Sequence, residues 1–130
     1  MVYPSALASS VAHDSHNLIA VGVSDQEIWR SIEEVKEMGG GIAVIRGEKV
    51  LARVPLEVAG IMSKASLEGL TKQLNEADRA ASSLGCNLPE PFMSLSFLAL
   101  PVIPKLRLTD LGLVDVEEFS LVPLFVDENN

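Results

Sequence analysis

The run Gly39–Gly40–Gly41 constrains the fold more than any other stretch of this chain. It lies between a segment of helical periodicity and a segment rich in β-branched residues. Upstream, "SDQE" offers Ser24 as a helix N-cap with Glu27 three residues on, the spacing of a capping box. Ile28, Ile32 and Val35 then recur at helical intervals, with Glu33, Glu34, Lys36 and Glu37 expected on the solvent side. Consecutive glycines stop such a helix, because glycine takes left-handed backbone angles without a steric penalty. Downstream, "IAVI" and "KVLARV" flank "RGE" and predict a β-hairpin turning at Gly47. Pro55 should end its second strand, since proline has no amide hydrogen to give a ladder.

Other segments extend this alternation. "ALASSVA" and "LIAVGV" are β-prone runs on either side of a polar insert, "HDSHN". After the short apolar piece "VAGIM", a second helix is expected from about Ser66 to Leu84. Leu67, Leu70, Leu74, Ala77, Ala81 and Leu84 would form its buried stripe, and Gly85 its stop. A short apolar helix fits between Pro91 and Pro101, because proline is tolerated at a helix start and not inside. "KLRLTDLGLVDVEEFSLVPL" alternates as short strands around a turn at Asp110 to Gly112, and "DENN" is expected to be a frayed tail. No repeat or linker divides the 130 residues. The expected architecture is α/β or α+β: one layered domain over residues 1–130, a mixed β-sheet packed by two main helices and one short apolar helix.

With 48% hydrophobic residues the chain can fill a core, and only 5% are aromatic, so Leu, Ile, Val and Ala must do so. A formal charge of −8 repels phosphate backbones and anionic lipid, which argues against nucleic-acid and membrane-surface partners. The segment "FMSLSFLALPVI", residues 92–103, is too short to cross a bilayer and is expected to be core. "MVYPSALASS" lacks the basic and apolar regions of a secretory segment. A single cysteine, Cys86, excludes an intramolecular disulfide and suits a reducing, cytoplasmic compartment; a small hydrophobe at a helix end is its simplest role.

The glycine run follows a helix and opens a strand, the reverse of a phosphate-cradling loop. Neither a GxSxG elbow nor an HExxH pair occurs. Concentrated chemistry is confined to His13, Asp14, Ser15, His16 and Asn17, which include both histidines of the chain. On a helix the two rings would share a face; on a strand Asp14 and His16 would. In a hairpin loop the histidines can flank the tip and converge. Three such donors suit a metal only when neighbouring groups orient them, whereas Asp, Ser and Asn are also ordinary turn residues. Trp29 is expected to pack at the edge of its helix's apolar stripe. Asp110, Asp115, Glu117 and Glu118 read as a turn and solvated strand edges.

"ASSVAHDSHN", "GGGIAVI", "LGCNLPEPFMSLSFLALPVIPKLRLTD" and "GLVDV" together resemble the C-terminal domain of bacterial and archaeal adenine deaminases, from about Leu7 to Leu124. The resemblance implies the amidohydrolase superfamily and the conversion of adenine and water to hypoxanthine and ammonia. It also implies a divalent metal, manganese or iron, held in the complete enzyme by an N-terminal barrel whose ligands include an HxH pair. This chain has no HxH, and such a barrel takes about 250 residues, so neither metal nor cofactor is expected on the chain itself. The barrel, and adenine in the complete enzyme, are the implied partners. His13 to Asn17 become a substrate-facing loop at the barrel mouth, where His13, Asp14 or His16 would position adenine or assist proton transfer. Two other readings stay open. One is an assembly module that forms homo-oligomers through the apolar 92–103 segment. The other is a small independent metal-dependent hydrolase using His13, Asp14 and His16.

Overall fold

A computed structural model describes residues 3–14 and 16–126; Ser15 and the tail at 127–130 lie outside the described residues. Four strands, β1 (Ser5–Ser9), β2 (Ile19–Gly22), β3 (Gly41–Arg46) and β4 (Lys49–Pro55), form a sheet in the order β2-β1-β3-β4. Three more, β5 (Leu106–Thr109), β6 (Gly112–Asp115) and β7 (Ser120–Val122), form a second sheet in sequence order. The helices are α1 (Asp25–Glu37), α2 (Leu67–Ser83) and α3 (Pro91–Phe97). The α+β expectation therefore holds, with two main helices and one short apolar one. The expected mixed sheet resolves into two sheets in which every pairing is antiparallel, because hairpin-type connections join most of the neighbours.

Alternation along β1 assigns the layers. Leu7 joins Ile42, Val44, Val54, Ala77, Ala81, Leu84 and Leu95 in the main core, under α2 and α3. Its neighbour Ala8 faces the other way, with Ala43 and Val35 of α1. The large sheet is thus covered by α1 on one face and by α2 and α3 on the other. Burying each Leu or Ile of the main core contributes about 1.5–3 kcal/mol relative to leaving it exposed. The α1 face of the sheet is built from small residues, and at Gly22 an added Cβ would lie 2.7 Å from Ile28 Cγ1. Helix and sheet approach closely there because nothing larger intervenes.

Gly39 ends α1 as expected, at φ +76°, and its N–H donates to the Lys36 carbonyl. Gly40 is needed for a different reason: a Cβ there would collide with the Cα of Gly60. Pro55 closes β4 and Pro91 opens α3, both as expected. Cys86 packs against the main core, in the role expected of it. No helix among the described residues is long and apolar enough to cross a membrane.

Four expectations fail on α1 and α2. The Ser24 hydroxyl does not cap a backbone amide; it donates to the Glu27 carboxylate instead. Glu34 is not on the solvent side but 1% exposed, with Glu27 and Ser31 also buried. The small-residue face leaves room for them, and Arg53 of β4 and Arg30 supply charge to Glu34. Trp29 does not pack at the stripe's edge; it is 63% exposed. On α2, Leu67 is 84% exposed and Leu74 is exposed, because the core buries Ala77, Ala81 and Leu84 and beyond them covers only Leu70, in part. The 92–103 segment is split likewise, with Leu95, Ser96 and Leu100 buried but Met93, Leu98 and Val102 exposed.

Candidate functional site

The five-residue insert lies in the connection between β1 and β2, whose register ends at Ser9 opposite Ile19. Side chains shape the departure from the strand. The Ser9 hydroxyl accepts the Val11 N–H at 3.1 Å, the local bond that draws serine into turns. Ser10 accepts the Gly41 N–H at 2.7 Å and donates to the Gly60 carbonyl at 2.6 Å, which fixes the base of the connection. Beyond it, Ala12 is buried, and the chain then turns out to solvent through His13 and Asp14.

His16 folds back on this turn, and its Nδ1 accepts the Ala12 N–H at 3.1 Å. That bond places the ring proton on Nε2. Asn17 Oδ1 accepts the Leu18 N–H at 2.8 Å and sets the entry into β2. His13 is held through its ring face: its centroid lies 5.3 Å from that of Phe97 in α3, at a tilt of 36°. Such a contact orients an imidazole without consuming either nitrogen. The two histidines thus make different contacts, His13 with α3 and His16 with the backbone of the turn. Ser15 lies outside the described residues.

Cavities flank the loop. The largest beside it, of about 430 Å³, runs from His13 past Ile61 to Leu70 and Leu74 of α2 and Phe92 and Met93 of α3. A second, of about 80 Å³, lies between His13 and Asp14 on one side and Ser96 and Pro101 on the other. On the far side Asn17 shares a cavity of about 290 Å³ with Thr109 and Asp110. Asp110 was expected to be only a turn residue, since nothing local marks a carboxylate that tertiary folding brings beside Asn17. Asp115 does behave as a turn residue, with its Oδ1 accepting the Glu117 and Glu118 amides.

Among the described residues no group of three His, Cys, Asp or Glu side chains could hold a metal ion. The contact with Phe97 leaves both ring nitrogens of His13 available, and the Ala12 amide takes only Nδ1 of His16. The remaining capability is hydrogen bonding and proton exchange at the loop surface.

A sheet layered between helices, with a histidine-bearing loop between β1 and β2, defines an α+β domain that presents polar groups at that loop. Residues 2–120 match the family of the adenine deaminase C-terminal domain, and the chain belongs to that family. It is 55% identical over 118 residues to an adenine deaminase of Dehalococcoides mccartyi, covering 91% of this chain and 21% of that protein. To an adenine deaminase of Desulfatibacillum aliphaticivorans it is 53% identical over 120 residues, 92% of this chain and 21% of the relative. The archaeal adenine deaminase of Archaeoglobus fulgidus is 51% identical over 122 residues, 94% of this chain and 22% of the relative. The chain thus spans about a fifth of the length of these curated relatives.

Proposed function

We propose that this domain works as part of an adenine deaminase, without activity of its own, and that the His13–Asn17 loop closes over an active site carried by an N-terminal metal-binding barrel. The observation that carries this reading is the loop itself. It exposes both histidines of the chain, oriented by Phe97 and the Ala12 amide, beside cavities.

Deamination adds water at C6 of adenine and expels the amine as ammonia, so protons must be moved to the ring and the leaving group. A manganese or iron ion in the barrel would supply the activated water. The residues of this chain would orient the base and exchange protons with it. His16, with its proton on Nε2, offers a donor; His13 offers ring nitrogens, and Asp14 an acceptor.

The test is made in a full-length adenine deaminase such as that of A. fulgidus, by placing alanine at the positions matching His13, Asp14 and His16. A proton-transfer role predicts a fall in kcat of about 10²-fold or more at one histidine, whereas a positioning role raises KM. Unchanged kcat and KM in all three variants would sink the proposal. The independence of the fragment is checked separately: the chain with Mn2+ should release no ammonia from adenine until the barrel portion is added. A second reading, an assembly module, draws on the exposed Met93, Leu98 and Val102. Sedimentation of the isolated chain as a stable dimer or larger would favour it.

A further inference from the structure

The amphipathic stripe of α2 runs the whole helix, but this chain's own core buries only its second half and covers Leu70 in part. Ala77, Ala81 and Leu84 are buried. Leu70 and Leu74 instead line the open 430 Å³ cavity beside His13, and Leu67, one turn earlier, stands in solvent. Met62 and Met93, both exposed, extend the apolar surface from the neighbouring loop and from α3. A helix whose stripe leaves Leu67 and Leu74 exposed and Leu70 only partly covered has room for a further packing partner.

The cavity's chemistry says what kind. The Ser96 hydroxyl donates to the Met93 carbonyl at 2.6 Å, and that of Ser9 accepts the Val11 amide. His13 is then the polar group left to face an occupant, so the hydrogen-bonding edge of a purine would be poorly matched here. Apolar side chains of a protein segment suit the site. In relatives about five times as long, of which this chain covers 21%, the remaining chain is part of the same polypeptide and is the candidate source of such a segment. Filling the cavity would bring that portion directly against His13.

We infer that the groove lined by Leu70, Leu74, Ile61 and Met93, with the exposed Leu67 one turn earlier on the same stripe, is the seat of an apolar segment from the N-terminal portion of adenine deaminase, and that this contact sets the His13 loop over the active site. The inference rests on the proposed function and adds the docking surface to it.

The experiment measures binding without adenine. The purified chain is titrated calorimetrically with the separately produced N-terminal portion of the D. mccartyi enzyme, and each component is also sedimented alone. Wild type should bind. Leu67→Asp and Leu70→Asp should each weaken binding about tenfold or more, while Leu111→Asp, on the exposed β5–β6 turn, leaves it unchanged. Leu67 is solvent-exposed, so its variant folds even if Leu70→Asp does not, and circular dichroism confirms it. Failure of the wild type to bind overturns the inference, as does full binding by Leu67→Asp or a loss confined to Leu111→Asp. Self-association abolished by Leu67→Asp, with no heterologous complex, assigns the groove to a second copy and overturns it equally. Turnover lost by the His13 variant of a full-length enzyme would leave the proposed function standing whichever of these is found.

Discussion

The hydroxyl of Ser10 joins three parts of the chain, since it takes the first amide of β3 and gives its proton to Gly60 in the turn that carries Ile61. Gly40 and Gly60 meet backbone to backbone beside it, an approach that any Cβ at Gly40 would prevent. Ser10→Ala strands the Gly41 N–H and the Gly60 carbonyl, at a cost of about 1–3 kcal/mol. Urea unfolding should show this as a lower midpoint at constant slope; a change under about 0.5 kcal/mol would mean that water replaces the hydroxyl. The same loop holds Glu57. Backbone hydrogen bonds, including that from the Lys64 N–H, hold Glu57 below the usual carboxylate value of 4.5. A depressed folded pKa means a contribution to stability that is present above the unfolded value and lost as pH falls through the folded one. Carbon-detected NMR titration should find Glu57 titrating below 4.5, and Lys64→Pro, which removes the donor amide, should move it back up.

At the scale of elements, α1 shows where periodicity succeeds and where it misleads. Its limits were legible: Ser24 does stand at the N-cap position, though without a side-chain cap, and Gly39 ends the helix through local geometry. Its buried face was not. Glu34 reads as a solvated glutamate until β4 brings Arg53 across the sheet to meet it, and no local rule anticipates a partner 19 positions away. The pair has an asymmetry that can be measured. Arg53 and Arg30 reach solvent, so Glu34→Gln leaves two cations that water can still hydrate and costs about 1 kcal/mol. Arg53→Met leaves a buried carboxylate with Arg30 alone, and the larger cost, about 2–4 kcal/mol, follows from its desolvation. Equal losses in denaturant melts would refute that ordering. Gly22→Ala tests the other determinant of this face, the close approach of α1. Its Cβ would sit 2.7 Å from Ile28 Cγ1 and 2.9 Å from Ala6 Cβ, so α1 must lift, and about 1–3 kcal/mol should be lost. A thermal midpoint equal to wild type would show that Ile28 simply changes rotamer.

Across the whole molecule, the position of the candidate site was legible and its surroundings were not. The polar run between two β-prone segments marked the His13–Asn17 loop in the sequence. Its neighbours Phe97, Leu70 and Asp110 come from segments 50 to 100 residues further on, and the packing of α2 and α3 against the first sheet, with the second sheet tied to the turn after α3, brings them there. That second sheet is the most loosely held part of the structure. Its strands pair with one another, while the Leu108 N–H bonds the Leu98 carbonyl to tie it to the turn after α3. Leu106, Leu108 and Leu121 remain exposed, and none of its residues belongs to the main core. Elements with few buried contacts open at lower free energy than the core does. Hydrogen exchange should therefore release amides of β5–β7 well before those of Ala43 and Val44, which are fully buried between β1 and β4. Equal protection in the two sheets would mean that they unfold as one unit, and that the Leu98–Leu108 junction transmits the full stability of the core. Adding the N-terminal portion of the enzyme sharpens the distinction. Docking in the α2–α3 groove slows exchange around Ile61 and Leu70 and leaves β6 and β7 as fast as before, whereas a dock on the second sheet protects β6 and β7 first.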